Sequence, residues 1–251
     1  MAGHSKWGNI KHHKAAQDKK RGKFFTKLIR EITIAAKLGG GDIGANPRLR
    51  SAVDKAFAGN MPKNTIERAI KRGMKNETGD SLEEIRYEGY GPYGVAVILD
   101  CLTDNKNRTV SEIRHAFTKV GGNLGTEGSV AYLFQAKGII DIVYQPQDEN
   151  TIIDLAIDAG AEDIEIQENG ILQVITLPEN ADRVKQALLK ANLTLEQSDV
   201  TLLASTTINI TDIEKAKKII KFLNELDDLD DVQNIYSNVT IETDILNQIN
   251  G

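Results

Sequence analysis

The sequence has few of the residues on which secreted, membrane-spanning and metal-binding proteins depend. It contains a single cysteine, Cys101, among 251 residues, so neither an internal disulfide nor a cage of cysteine ligands can form. No stretch approaches the roughly 18 consecutive apolar residues of a membrane-spanning helix, and the first residues include no apolar signal segment. We therefore expect a cytoplasmic protein with no membrane partner, in which Cys101 is a small buried hydrophobic residue.

Motifs of catalysis and of cofactor binding are also missing. Three glycines within residues 89–94 have the spacing of a dinucleotide-binding turn, but they precede an apolar run instead of following a strand. The glycine-rich residues 121–128 lack the Lys-Ser/Thr pair of a P-loop, and the histidines within residues 4–13 have no carboxylate or thiol at ligand spacing. The sequence therefore predicts no enzyme, cofactor, metal or small-molecule substrate. An enzyme that uses the turn at Gly89 is the distant alternative.

Four aspartates and one leucine form an acidic run at residues 227–231. An EF-hand loop requires a glycine at its sixth position and a carboxylate at its twelfth, and this run has neither. We expect the run to be solvated charge that follows a helix.

Charge is distributed very unevenly along the chain. The first 75 residues contain 18 Lys/Arg and five Asp/Glu, whereas the other 176 contain 13 Lys/Arg and 31 Asp/Glu. The formal net charge of −5 therefore combines a basic head (residues 1–75) of charge +13 with an acidic body (residues 76–251) of charge −18. Such an asymmetry indicates a segment that binds a polyanion, carried by a body that remains in solution.

The basic head begins with a stretch, residues 1–22, that has too few apolar side chains to bury a helix face. We expect an arm that becomes ordered on its partner, with Trp7 stacked on a base or fixing the arm to the body. The alternative is a solvated tail with Trp7 docked on the fold, but the interleaved Lys, His and Trp favour binding. The predicted nucleic-acid contacts are Lys6, Trp7, Lys11, His12, His13, Lys14, Lys19, Lys20, Arg21, Lys23, Lys27, Arg30, Arg48, Arg50, Lys63, Arg68, Lys71 and Arg72.

Three short helices are predicted in the rest of the head. Apolar residues at helical spacing follow Lys23 and stop at the glycines of residues 39–41. Asn46 and Pro47 are an N-cap and a first-turn proline, which open a second helix. Pro62 opens a third helix. The head should therefore be a small helical bundle with cationic outer faces.

The acidic body is predicted to contain one domain inserted into another. Residues 137–205 follow the order βαββαβ, with a hairpin at Asn169-Gly170, which is typical of a ferredoxin-like domain. The flanking segments each contribute strands and a helix. Their predicted elements are a glycine turn at residues 87–94, strands at 95–99, 129–134, 207–210 and 232–236, and helices at 107–120 and from 211.

The fold class is therefore α+β, with three predicted domains. They are an N-terminal three-helix basic domain (1–76), a discontinuous α+β sandwich domain (77–136 and 206–251), and the inserted ferredoxin-like domain (137–205).

The polar loop at residues 103–109 joins a buried strand to a helix. Asp104 and Asn105 are suited to capping the local backbone, whereas Lys106 and Arg108 would present a small cationic spot on the acidic body. A capping turn and a secondary nucleic-acid contact through Lys106 and Arg108 are left as equal alternatives.

Several motifs resemble the YebC family of probable transcriptional regulatory proteins, nearly from end to end. They are AGHSKW at 2–7, KAAQD at 14–18, KRGK at 20–23, FTKLIRE at 25–31, NPRLR at 46–50, NMPK at 60–63, ERAIKRG at 67–73, YEGYGP at 87–92, TDNKNRT at 103–109 and GSVA at 128–131. The inserted domain is similar to the family more loosely.

The resemblance implies a three-domain, non-enzymatic, cytoplasmic DNA-binding regulator of transcription. The family's mitochondrial relative is a translational activator of cytochrome c oxidase, and some bacterial members are linked to relieving ribosome stalling. The alternative implied by the resemblance is therefore a ribosome-associated translation factor that binds RNA through the same basic head. The sequence shows no helix-turn-helix reading helix, and its arm and glycine loops suit irregular RNA somewhat better. The expected partner is nucleic acid, either DNA or RNA, and the chain is expected to be a monomer or a weak dimer.

Overall fold

The computed structural model describes residues 17–75, 82–167 and 170–250. The described residues up to Tyr132, together with those from Thr207 onward, form one compact unit, and Leu133–Thr206 form a second. Helices and sheets are both extensive, so the predicted α+β class is confirmed.

The elements in the described residues are as follows. The helices are α1 (Gln17–Gly39), α2 (Pro47–Ala58), α3 (Lys63–Met74), α4 (Lys106–Lys119), α5 (Glu149–Ala159), α6 (Ala181–Lys190), α7 (Ile213–Asp227) and α8 (Thr243–Asn250). The strands are β1 (Glu83–Tyr90), β2 (Ala96–Thr103), β3 (Asn123–Leu124), β4 (Phe134–Val143), β5 (Ala161–Ile166), β6 (Ile171–Thr176), β7 (Thr194–Ala204), β8 (Ile208–Ile210), β9 (Val232–Ser237) and β10 (Val239–Ile241).

The three predicted helices of the head are present as α1, α2 and α3, and α1 packs against both of the others. Ile32, Leu49 and Ile66 are among the buried side chains that form their shared core. The Asn46 side chain accepts a hydrogen bond from the Leu49 amide at 3.0 Å, as expected of an N-cap. One expectation is wrong, since α1 begins at Gln17 and residues 17–22, which were predicted to belong to the arm, are helical.

The middle part of the fold is a four-stranded sheet in the order β3-β1-β2-β9, to which α4 and α7 contribute the main apolar cover. Phe117 of α4 and Phe222 of α7 meet edge to face, with their ring centroids 5.0 Å apart. Strands β8 and β10 form a separate parallel pair. Cys101 is buried in β2, as predicted, and burial raises the pKa of its thiol to about 12.

The second unit is an antiparallel sheet in the order β5-β6-β4-β7 with α5 and α6 packed together. Counted within the unit, this is strand order 2-3-1-4 in a βαββαβ chain, which confirms the predicted ferredoxin-like fold. Its core contains Ile140, Leu172 and Leu188, all fully buried. The predicted domain 137–205 lies inside this unit.

Two predictions for the middle sheet need correction. Residues 83–90 form β1, which pairs antiparallel with β2, although residues 87–90 were predicted to belong to a glycine turn. Residues 129–133 were predicted to be part of a strand, but they do not form one. Backbone amides in this segment donate instead to a buried carboxylate, that of Glu88. The Glu88 carboxylate is 3% exposed and accepts the backbone N–H groups of Gly128, Val130 and Ala131 at 2.8–2.9 Å.

Asp231 corrects the prediction for the acidic run, because it is buried rather than solvated, with a side chain 2% exposed. Its carboxylate accepts hydrogen bonds from Arg30 of α1 (Nη1–Oδ1, 2.9 Å) and Arg108 of α4 (Nη2–Oδ2, 2.8 Å). Thr109 and Thr103 donate to Oδ2 at 2.7 and 3.1 Å. We refer to these five residues as the Asp231 cluster. It joins the basic head to the sheet.

The pKa of Asp231 reflects two opposing effects. Burial raises it, but the hydrogen bonds from Arg108 and Thr109 and the charges of Arg108 and Arg30 outweigh burial and place the pKa below its ordinary value. A carboxyl whose pKa is lowered by folding stabilises the protein above its unfolded pKa, and this contribution is lost as the pH falls through the folded value. The cluster should therefore hold at neutral pH and weaken below about pH 4.

The first prediction concerns Glu88. We expect Glu88→Gln to destabilise the protein by about 2 kcal/mol, since three backbone donors lose a charged acceptor. Amide hydrogen exchange at residues 128, 130 and 131 should accelerate in this variant. Glu84→Gln, at a half-exposed position of the same strand, should leave those amides protected. Unchanged exchange at all three amides in Glu88→Gln would contradict the assignment.

The second prediction concerns the Asp231 cluster. We expect Asp231→Asn to lower the free energy of unfolding by roughly 3 kcal/mol, because Arg30 and Arg108 would lose their buried counter-charge. Asp228→Asn is the matched control, since its carboxylate pairs with Lys23 but is 70% exposed, and such pairs contribute less than about 1 kcal/mol. Urea unfolding at pH 7 measures both changes, and equal losses would show that burial of Asp231 has no special role.

Candidate nucleic-acid interface

Nine of the predicted contact residues cannot be placed at the level of their side chains. Lys6, Trp7, Lys11, His12, His13 and Lys14 lie outside the described residues. Lys19, Lys20 and Arg21 lie in the first turns of α1, where the structure describes the backbone only. They remain predictions.

Three predicted contacts on α1 bind carboxylates of the same unit. Lys23, Lys27 and Arg30 are spaced by four and three residues, so they lie along one stripe of the helix. Lys23 pairs with Asp228 and Lys27 with Asp227, each at 2.8 Å, and Arg30 belongs to the Asp231 cluster. This stripe faces the acidic run of residues 227–231, and its charge is already compensated within the protein.

Arg48 is compensated in the same way. Its guanidinium donates to Glu31 of α1 (Nε–Oε1, 2.7 Å) and also to Glu84 of β1. The two carboxylates come from different parts of the unit, so Arg48 ties α2 to α1 and to the sheet. Its charge, like that of the α1 stripe, therefore has a structural use.

The side of α3 that faces away from the core is different, because cations dominate it. Ile66 and Ala69 are buried against α1 and α2, whereas the other face is exposed. That face, which we name the α3 surface, consists of Lys63, Glu67, Arg68, Lys71, Arg72 and Lys75. Glu67 is its one carboxylate, and it approaches Lys63 only to 3.9 Å in an exposed pair one turn away.

Arg50 of α2 is also exposed, and its guanidinium donates to the carbonyl oxygens of Ile43 and Gly44. These hydrogen bonds hold the loop between α1 and α2. In the described residues, no carboxylate pairs with the Arg50 guanidinium. The loop borders an open depression of about 640 Å³. Its lining comes from the loop and the end of α3, namely Gly40, Gly41, Asp42, Ile70, Lys71, Met74 and Lys75.

This depression has a largely apolar floor with two lysines of the α3 surface on its rim. Ile70 and Met74 lie so near Gly41 that a Cβ there would approach both side chains to 3.1 Å. Glycine therefore lets the loop lie close to α3. Sequence analysis singled out Lys71 but missed Lys75, Ile70 and Met74 as neighbours of the site; the lysine spacing of four was the available signal.

The two predicted secondary contacts are not a free cationic spot. Lys106 pairs with Glu83 at 2.5 Å, and Arg108 binds Asp104 and Asp231 at 2.9 and 2.8 Å. Asn105 caps α4 by accepting from the Arg108 amide at 3.1 Å. Of the two alternatives for residues 103–109, the geometry favours the capping turn.

Metal and membrane features are not found in the part of the chain that the structure describes. Within residues 17–75, 82–167 and 170–250, no three His, Cys, Asp or Glu side chains are grouped so that they could hold a metal ion. Among the same residues, no helix is both long and apolar enough to cross a bilayer.

Comparison with known proteins places the chain in a family. Residues 5–76 match the TACO1/YebC protein N-terminal domain, and residues 82–239 match the TACO1/YebC second and third domain. A relative from Coxiella burnetii (strain RSA 493 / Nine Mile phase I) is 58% identical over 98% of this chain and all of its own length. One from Methylococcus capsulatus is 57% identical over 99% of this chain and all of its own length. Both are named probable transcriptional regulatory protein.

A solved structure is similar along nearly the whole chain. The crystal structure of a conserved hypothetical protein from Aquifex aeolicus is 47% identical, covers 95% of this chain and 98% of its own, and has a TM-score of 0.82. The resemblance read from the motifs is thereby confirmed: the chain is a member of the TACO1/YebC family.

Proposed function

We propose that this protein is a non-enzymatic regulator of gene expression that binds nucleic acid through its basic head and acts in transcription. The observation that carries the proposal is the α3 surface, which presents five cations and one carboxylate on a chain of net charge −5. The names of its relatives support the regulatory role and favour transcription over translation.

The cations of the α1 stripe pair with carboxylates, whereas two cations of α3 have no such partner among the described residues. This difference supports α3 rather than α1 as the nucleic-acid interface. A lysine that already pairs with a carboxylate must give up that pair before it neutralises a phosphate, so its net contribution to binding is small. The α1 stripe is compensated in this way. Arg68 and Lys71 have no carboxylate partner within the described part of the chain, so they bind phosphate without such a cost.

The chemistry of the α3 surface is suited to the nucleic-acid backbone. Lysine and arginine on an exposed helix neutralise phosphates, and such contacts fix position and affinity without reading sequence. Two lysines of the α3 surface, Lys71 and Lys75, also line the depression. The predicted contacts between Lys6 and Arg21 belong to the same basic head.

The third prediction tests which cations bind. In Arg68→Gln with Lys71→Gln, affinity for a 20-base-pair duplex DNA should fall at least tenfold at low salt. If each removed cation neutralised one phosphate, the slope of log affinity against log salt should become shallower by about 1.8. Fluorescence anisotropy across a potassium chloride series measures both quantities.

The matched control removes the same amount of charge from the compensated stripe. Lys23→Gln with Lys27→Gln should leave the salt slope unchanged and instead lower the unfolding temperature, because Asp228 and Asp227 lose their partners. Equal loss of affinity in the two double variants would contradict the assignment to α3. Absence of any binding by the unaltered protein would refute the proposed function.

A further inference from the structure

Helix α7 presents a second concentration of positive charge, on the acidic body. Four of the 13 Lys/Arg in residues 76–251 occur within a single seven-residue stretch, at Lys215, Lys217, Lys218 and Lys221, and all four are exposed. Lys217 pairs with Glu214 at 2.8 Å. In the described parts of the chain, no carboxylate lies within ion-pairing distance of the other three.

An aromatic ring lies beneath two of these lysines. Tyr93 belongs to the turn between β1 and β2, and the Nζ atoms of Lys215 and Lys218 each lie 5.5 Å from its ring centroid. The tyrosine is 46% exposed, so the turn places a large π-surface at the protein surface beside two ammonium groups. Cation–π contacts at such exposed sites are weak.

The backbone at Tyr93 is strained. Its φ of 62° and ψ of 22° are left-handed, a conformation that glycine adopts freely and that an aromatic residue rarely adopts. A hydrogen bond from the Gly91 amide to the Val95 carbonyl, 2.7 Å long, closes the turn. Gly91 also packs tightly on Phe222, since a Cβ on Gly91 would come within 2.5 Å of that ring. A strained residue that is half exposed gains little from packing, and strain of this kind concentrates at functional sites.

We propose that Tyr93, Lys215 and Lys218 form a contact site for single-stranded nucleic acid. One unpaired base stacks on the tyrosine ring, and the two ammonium groups bind the phosphates that flank this base. The inference rests on the proposed function and deepens it, since it adds a second contact on the acidic body and names the class of ligand.

The chemistry favours a single strand over a duplex. A base within a duplex is stacked on both sides and paired, so its face is not available to a tyrosine on a surface turn. An unpaired base stacks on an aromatic residue whatever its identity, while lysines follow the backbone on either side. The ammonium groups give up only their weak contacts with the ring when they bind phosphate.

The test uses the full chain and a fluorescein-labelled, mixed-sequence 15-nucleotide single strand, as RNA and as DNA, with the 15-base-pair duplex for comparison. Tyr93→Phe should bind the single strand like the unaltered protein. Tyr93→Gly should bind it about tenfold or more weakly, the loss expected for one stacked base. The same variant should not lower the unfolding temperature, because glycine relieves the left-handed strain.

Charge is tested separately. Lys215→Gln with Lys218→Gln should reduce the single-strand salt slope by about 1.4, whereas Lys185→Gln with Lys190→Gln, which remove two lysines of α6, should not. Affinity for the duplex should be unchanged in all of these variants. The RNA and DNA arms show which sugar the site accepts.

Each outcome decides the proposal. Normal single-strand binding by Tyr93→Gly, while the α3 variants lose affinity, would overturn the Tyr93 site and leave the proposed function intact. Loss of binding by Tyr93→Gly together with a lowered unfolding temperature would assign the tyrosine a structural role. Tighter binding of a polyglutamate peptide than of the single strand, abolished by Tyr93→Gly, would assign the cluster to an acidic protein partner and also overturn the proposal.

Discussion

The ion pairs of the buried Asp231 carboxylate decide which cations of the basic head are exposed. A carboxylate that leaves water costs several kcal/mol unless charged partners surround it, and Arg30 and Arg108 are those partners. Because Arg30 lies on α1, the cluster fixes which face of that helix meets the sheet. Lys23 and Lys27, on the same stripe, then lie against Asp228 and Asp227. Helix α3 packs on α1 away from this stripe, so its own cations remain exposed.

The net charge of the basic head therefore does not tell how many of its cations are available to a ligand. A surplus of 13 positive charges is fixed by composition, but helical geometry divides them between internal pairs and exposed cations. Spacings of three and four residues place Lys23, Lys27 and Arg30 together, and those of Lys71 and Lys75 place both at one depression. A neighbouring carboxylate compensates the charge of a lysine as a phosphate would. Only the arrangement of the neighbouring carboxylates decides which role a lysine has.

Local sequence signals predicted much of the fold, but contacts between residues far apart in the sequence could not be predicted. Asn46 and Pro47 place the start of α2, because capping is decided within one turn. Asp231 looks like solvated charge in sequence, since its partners Arg30 and Arg108 are 201 and 123 residues away. Glu88 likewise captures amides about 40 residues distant, which turned a predicted strand into a loop. For the proposed contact site at Tyr93, the four lysines of α7 can be recognised in the sequence. The left-handed conformation of Tyr93 cannot.

In the proposed binding of nucleic acid, the acidic body would act even where it makes no contact. At physiological ionic strength a charge is felt over about 8 Å, so a phosphate chain is repelled by most of the body and attracted only next to uncompensated cations. In the described residues, the cations for which no carboxylate partner is found include Arg68 and Lys71 of the α3 surface and Lys215 and Lys218 of α7 beside Tyr93. Two restricted attractive surfaces on a repelling body prevent a polyanion from spreading over the protein. Under the two proposals, a ligand with both a continuous phosphate backbone and an unpaired base would satisfy both surfaces, whereas a uniform duplex would satisfy the first alone.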